Sequence, residues 1–136
     1  MIKVHICTPE GEYETVEGVS LINADTTDGQ RGILPRHMPI VLVLEIGKLE
    51  LVYPDGTRDM YSVDEGMLFF ENDTATVLTD AIEYSEDIDL DRAVKAKERA
   101  ERRLRERRSD LDELRAKIAL RKAINRIRVK QGGTEG

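Results

Sequence analysis

The sequence predicts an all-β N-terminal sandwich or flattened barrel followed by a C-terminal antiparallel α-helical hairpin, and three observations carry that prediction. Apolar residues recur in short alternating runs up to about residue 86, their spacing turns helical from Ile88, and the charge balance reverses at the same place. Through Glu86 there are 5 Lys and Arg against 17 Asp and Glu, whereas from Asp87 onward there are 16 against 10. Two units are therefore expected, residues 1–86 and residues 87–136.

In chain order, Ile2, Val4 and Ile6 alternate with Lys3, His5 and Cys7, and Pro9-Glu10-Gly11 supplies a turn. Further strand-like runs are Val19 to Ile22, Val41 to Leu44, Leu49 to Tyr53, Tyr61 to Val63, Met67 to Phe70 and Thr76 to Leu78. Leu49, Leu51 and Tyr53 share a face, Pro54-Asp55-Gly56-Thr57 reverses the chain, and Met60 to Val63 returns as a hairpin. Short strands without intervening helices argue for a sandwich or barrel. Leu90, Ala93, Lys97, Ala100 and Leu104 then form a narrow helical stripe whose small residues admit a close neighbour. Ser109 reads as the N-cap of a second helix, with Asp110 and Asp112 at its positive end. On that helix Leu111, Leu114 and Ile118 mark one apolar stripe and Leu120, Ile124 and Ile127 another, and Gly132-Gly133 ends it. Two apolar faces call for two packing partners.

The 136 residues are 40% hydrophobic and 35% charged, enough for a modest core and much solvated or partner-facing surface. No run approaches the roughly 18 to 20 apolar residues that cross a bilayer, and the opening Met1-Ile2-Lys3-Val4-His5 does not start a secretory signal, so a cytoplasmic protein is expected. Cys7 is the only cysteine and the histidines are His5 and His37, which excludes an internal disulfide and a zinc site. Cys7 reads as a buried strand residue. His5 shares its strand face, but no orienting third group accompanies the pair, so nucleophilic catalysis is not indicated.

The segment Gly29-Gln30-Arg31-Gly32-Ile33-Leu34-Pro35-Arg36-His37-Met38-Pro39-Ile40 resembles the G-x-x-G-I-L-P-G-H-x-P-L loop of the epsilon subunits of bacterial F-type ATP synthases. Ile88-Asp89-Leu90-Asp91-Arg92-Ala93 is similar to the I-D-x-x-R-A motif of those epsilon subunits that bind ATP. The opening Val4 to Gly11 and the stretch Ala96 to Leu104 extend the resemblance over essentially the whole chain. Three positions depart from it: Arg36 replaces a glycine, Gln30 an acidic residue, and Val63-Asp64-Glu65-Gly66 keeps one glycine of a glycine-rich turn.

Read from the residues, Gly29 and Gly32 suit a sharply turning backbone, while Pro35 and Pro39 stiffen a stretch whose apolar Ile33, Leu34, Met38 and Ile40 need cover. Either a self-packed loop or a partner surface satisfies that need. The resemblance implies an interface through Gly29, Gln30, Arg31, Gly32, Ile33, Leu34, Pro35, His37 and Pro39 toward the gamma subunit and the c-ring, with the adjoining sandwich face taking part. His37 is expected as an interface or packing residue rather than a proton carrier.

Asp89 alone reads as an N-cap and Arg92 as a first-turn cation. The resemblance adds a regulatory ATP site of Glu83, Ile88, Asp89, Arg92, Ala93, Arg99, Lys122 and Arg126, with the cations on the phosphates. Lys122 and Arg126, four apart, share a helix face. No cofactor is required and no metal site is expected. The absence of a G-x-x-x-x-G-K-[ST] loop argues against hydrolysis by this chain.

The resemblance therefore implies a non-catalytic central-stalk subunit at the cytoplasmic face of the membrane, attached to the membrane only through its complex. Its sandwich would couple gamma to the c-ring, and its hairpin would extend into the alpha/beta head to restrain ATP hydrolysis. Two alternatives are weaker. A nucleic-acid-binding module would use Arg102 to Arg108, but Glu98, Glu101 and Glu106 interrupt that run and the sandwich is acidic. An enzyme using Asp89 and Asp91 fails because acids at i and i+2 on a helix point apart.

Overall fold

A computed structural model describes residues 1–132, which fall into two compact units, 1–84 and 85 onward. The first contains nine strands: β1 (Ile2–Thr8), β2 (Gly11–Val19), β3 (Leu21–Thr26), β4 (Gly29–Ile33), β5 (Ile40–Val52), β6 (Arg58–Val63), β7 (Gly66–Glu71), β8 (Thr74–Thr79) and β9 (Ile82–Tyr84). Their order is β2-β1-β8-β7-β5-β3-β4, with β6 on β5 and β9 on β6. Every pairing is antiparallel except β1 with β8.

The 13-residue β5 makes this one sheet into two layers. Its first half pairs with β7 from Ile40↔Phe70 to Leu44↔Gly66, and its second half pairs with β6 from Gly47↔Val63 to Val52↔Arg58. Between the halves the inward set changes phase, from Leu42 and Leu44 to Leu49 and Leu51, all buried. The register with β3 jumps there too, from Thr26↔Leu44 to Ala24↔Leu49. A bulge of this kind bends the strand and increases its twist. At the bend Gly47 lies against Asp25, whose Cβ and Oδ2 would each be 2.6 Å from an added Cβ, and Asp25 Oδ2 accepts the Lys48 N–H at 2.9 Å.

The core lies between the layers. Ile2, Val4, Ile6, Leu68, Phe70, Ala75 and Val77 belong to one buried cluster with Ile22, Ala24, Ile33, Tyr61 and Val63. The alternation of β1 is as expected, but Cys7, expected to be buried, is only half-buried, because the inward positions belong to Ile2, Val4 and Ile6. The predicted hairpin over residues 49–63 forms: Gly56 takes φ 87°, its N–H donates to Tyr53 O at 2.9 Å, and the Thr57 N–H and hydroxyl both donate to Asp55 Oδ1. The expected run Val19 to Ile22 is broken at Ser20, whose N–H and hydroxyl both donate to Val52 O.

The second unit opens with a 3-10 turn (Ser85–Asp87) and contains α1 (Leu90–Arg105) and α2 (Asp110–Lys130). Asp89 caps α1 by accepting the Arg92 N–H at 3.2 Å, and Ser109 caps α2 by accepting the Asp112 N–H at 3.1 Å. The α1 stripe packs as expected, with Ala93 and Ala100 buried and Leu90, Lys97 and Leu104 half-buried. On α2 the two expected stripes differ in their cover. Leu111 and Leu114 are exposed, and Ala116 and Ala123, with half-buried Leu120 and Ile127, occupy the inward line. Ala93 and Ala100 are seven residues apart, as are Ala116 and Ala123, so each buried pair lies two turns apart on its helix. These small buried residues allow a close helix approach. Gly132, with φ 91°, follows the C-cap Gln131, and Gly133 lies outside the described residues.

Candidate functional site: a loop and an apolar sheet face

The segment Gly29 to Ile40, expected to be a loop, is half strand. Gly29 to Ile33 form β4, paired with β3 from Thr26↔Gly29 to Ile22↔Ile33. Ile33, expected at the surface, is corrected to a core residue at 1% exposure, because its strand position points between the layers. Gln30, Arg31 and Gly32 are exposed on this edge strand. An added Cβ at Gly32 would meet only side chains within 3.6 Å, Asn23 Oδ1 at 3.1 Å and Leu21 Cδ1 at 3.6 Å.

The true loop is Leu34 to Pro39. Leu34 is 60% and Met38 72% exposed, while Pro35 and His37 are half-buried. His37 sets its ring edge against Phe70, with centroids 6.0 Å apart, and Nδ1 lies 2.7 Å from Met38 O. Those contacts make it a packing residue of the loop. Arg36 has φ 69°, a conformation in which glycine is the unstrained residue, and its N–H donates to Asp73 Oδ1 at 2.6 Å. The departure from glycine at Arg36 thus falls on a backbone position that prefers glycine. Asp73 sits in the two-residue β7–β8 turn, where Asn72 and Asp73 both take positive φ.

Beyond the loop, the outward side chains of β5, β7 and β8 form an apolar sheet face. Val41 is opposite Phe69, Val43 opposite Met67, and Met67 opposite Leu78, and all five are exposed. Cys7 pairs with Leu78 and His5 with Thr76, which carries the face onto β1. An open depression of about 490 Å³, lined by residues including Pro39, Val41, Phe69 and Thr76, joins this face to the loop. Alternation forces every second residue of these strands outward, and apolar residues at five such positions form a contiguous patch of the kind that marks an interaction surface. The strand runs were legible in the sequence. The resemblance implies an adjoining sandwich face without naming its residues, and the lack of polar alternation in Val41 to Leu44 and Met67 to Phe70 is the signal that locates them.

Seven of the eight residues of the expected nucleotide site lie in the second unit. Ile88 and Ala93 are buried, Asp89 is the N-cap, Arg92 and Arg99 are exposed, and Lys122 and Arg126 are half-buried. Glu83 belongs to β9 of the sandwich, opposite Ser62. Arg92 lies in the first turn of α1, and Lys122 and Arg126 are four residues apart on α2. Arg99 is seven residues farther toward the tip, about 10 Å away along the axis.

The hairpin tip carries an open cleft of about 340 Å³ lined by Arg103, Arg107, Arg108 and Arg115, but Glu106 and Asp112 line it as well. Arg107 donates from Nη1 to Leu104 O at 3.0 Å and pairs with Glu113 at 3.6 Å, and Lys117 pairs with the same carboxylate at 3.2 Å. The arginine run is thus interleaved with acids rather than presented as a uniform phosphate-binding surface. Among the described residues there is no His, Cys, Asp and Glu grouping that would hold a metal ion, and no helix long and apolar enough to cross a membrane.

Known proteins are similar to this chain in sequence and in fold. The ATP synthase epsilon chain of Exiguobacterium sp. is 39% identical over 131 residues, covering 95% of both chains. That of Bacillus velezensis is 40% identical over 128 residues, covering 94% of this chain and 96% of its own. The fold recurs in a chain of the Euglena gracilis mitochondrial ATP synthase assembly of OSCP, F1 and c-ring. That match has a TM-score of 0.81 and 22% identity and covers 99% of this chain and 81% of the other. It recurs again in the central stalk and c-ring assembly of Tetrahymena thermophila, with a TM-score of 0.62 and 19% identity over 98% of this chain and 96% of the other. Residues 1–85 match the β-sandwich domain of the ATP synthase delta/epsilon chain and residues 86–131 match its long α-helix domain, so the chain belongs to the ATP synthase delta/epsilon family.

Proposed function

We propose that this chain is a non-catalytic central-stalk subunit of a proton-translocating ATP synthase, peripheral to the cytoplasmic face of the membrane and held there by its complex. The sandwich face of Val41, Val43, Met67, Phe69 and Leu78, together with Leu34 and Met38 on the neighbouring loop, is the observation that carries this reading. A rotor element must hold its partners without slipping, and an apolar sheet face beside a proline-stiffened loop supplies burial with little ordering cost. The partners in this reading are the gamma subunit and the c-ring, and the chain transmits rotation rather than making or breaking bonds.

The hairpin is the regulatory part of the proposal. The fully buried apolar residues of the hairpin are mostly small, Ala93 and Ala100 on α1 and Ala116 and Ala123 on α2, and in this reading the hairpin leaves a compact state to reach the alpha/beta head, where it restrains hydrolysis. A regulatory ATP bound through Asp89, Arg92, Lys122 and Arg126 would favour the compact state. Support comes from Arg92 in the first turn of α1, capped by Asp89, and from Lys122 and Arg126 four apart on α2. Arg99, two turns away, takes a weaker part.

The sheet face is tested with a Val43→Asp, Met67→Asp variant, in which both substitutions fall on exposed positions and leave the core intact. Co-purification with gamma and the c-ring should fall on the order of 100-fold, because each aspartate is desolvated at the interface. Undiminished co-purification of a folded variant would refute the surface.

A further inference from the structure

The two ends of the hairpin unit are fastened together. Lys130, in the last turn of α2, donates from Nζ to Glu86 O at 3.1 Å, and Glu86 belongs to the 3-10 turn (Ser85–Asp87) through which the chain enters the unit. Carbonyls at the end of so short a helix lack a partner within it, so the ammonium satisfies a group that the turn leaves over. A defined helix end holds the stem of Lys130: the Gln131 N–H donates to Ile127 O at 3.0 Å, the Gly132 N–H donates to Val129 O at 3.1 Å, and Gly132 takes φ 91°. Ile88 and Val129, close in sequence to the two bonded residues, are buried, whereas Glu86 and Lys130 are exposed.

Charge favours the same closure. Glu86 and Asp87 lie in the turn and Asp89 and Asp91 follow it, so an ammonium bonded there sits among negative charges. Of the two cations in the last turn of α2, Arg128 and Lys130, Lys130 is the one bonded to the turn. We propose that Lys130 is a latch of the hairpin: its bond to Glu86 O holds the end of α2 to the start of the unit, and the hairpin opens by releasing it. This rests on the reading of the hairpin as a switch between compact and extended states, and it names a side chain that biases the switch. Separation of α2 from α1 withdraws the ammonium from the carbonyl, so the bond stabilises the compact state alone. Lys130 is thus a positioning residue, acting on hydrolysis through the placement of its helix.

The test uses the full chain spin-labelled at Lys95→Cys and Arg121→Cys, exposed positions on α1 and α2, with Cys7→Ser removing the native thiol, and then reassembled into the ATP synthase. Double electron-electron resonance reads the populations of short and long label separations. Lys130→Met should raise the extended-to-compact ratio about threefold, the effect of losing one exposed charge-assisted hydrogen bond. Lys130→Arg keeps a cationic donor at the same place and should stay close to the parent. Arg128→Met removes a charge from the same helix end without removing the bond to Glu86, and it should also stay close to the parent.

A rise with Lys130→Met that is absent with Lys130→Arg supports the latch, and ATP hydrolysis by the same assembly should fall as the extended state fills. A larger extended population with hydrolysis unchanged keeps the latch and refutes the restraint of hydrolysis by the hairpin, so the two failures are told apart. An unchanged ratio in Lys130→Met, or an equal rise in Arg128→Met, would overturn the proposal.

Discussion

Replacing Gly66 by alanine should destabilise the sandwich far more than the same change at Gly32. Gly66 pairs with Thr79 at the start of β7, and an added Cβ would overlap Leu78 O and lie 2.8 Å from Thr79 Cα. Both obstacles are backbone, so relief requires β7 and β8 to separate. The Thr79 hydroxyl is buried there within 3.1 to 3.2 Å of the carbonyls of Asp64, Glu65 and Ala81, a contact set that any separation loosens. Overpacking against rigid backbone costs about 1–3 kcal/mol and a weakened buried hydrogen bond about 1 kcal/mol, less about 0.5 kcal/mol from the stiffer unfolded chain. A net loss of roughly 2–3 kcal/mol corresponds to a Tm lower by about 10–20 °C for a unit of this size. At Gly32 the near neighbours are the Asn23 and Leu21 side chains, which can move, so Gly32→Ala should stay within about 1 kcal/mol of wild type. Thermal unfolding followed by circular dichroism measures both variants. Equal melting of the two would refute the close-approach argument.

Other predictions follow from single contacts. Arg36→Gly should stabilise the sandwich by roughly 0.5–1 kcal/mol in urea unfolding, since relief of the left-handed strain exceeds the added chain entropy. Tyr53 and Tyr61 keep their protons in the folded state to higher pH than in the unfolded chain, so their contribution is complete below about pH 10 and is lost as pH rises beyond it. Tyr61→Phe should therefore flatten the alkaline fall in stability measured by denaturant midpoints. Asp89→Ala and Ser109→Ala should each cost the hairpin about 1 kcal/mol, seen as earlier loss of the 222 nm signal on heating.

The sequence was most legible where one physical rule acted alone. Ile2, Val4 and Ile6, the turn at Pro54 to Thr57, and the caps Asp89 and Ser109 each follow from period, turn chemistry or orphan amides, and each appears as expected. Edge strands were hidden because backbone pairing needs no apolar side chain. β2 carries Glu12, Glu14, Thr15 and Glu17, and β4 begins Gly29-Gln30-Arg31-Gly32. The phase change in β5 and the parallel pairing of β1 with β8 are tertiary facts with no local signature. In α2 both apolar stripes were readable, but the buried Ala116 and Ala123 were not, because period alone does not single out small residues. Of the candidate surface, the loop was readable from its motif. The sheet face needed the register, which turns separate apolar runs into one patch.

The central claim is that the sheet face and the Leu34 to Pro39 loop hold the chain to the rotor. A photo-crosslinking amino acid placed at Val43 and, separately, at Met38 in the assembled enzyme tests it most directly, since both side chains are exposed and neither is in the core. Mass spectrometry should find the adducts on the gamma subunit or the c-ring. Adducts only on the alpha and beta subunits, or none at either position in an intact complex, would contradict the account.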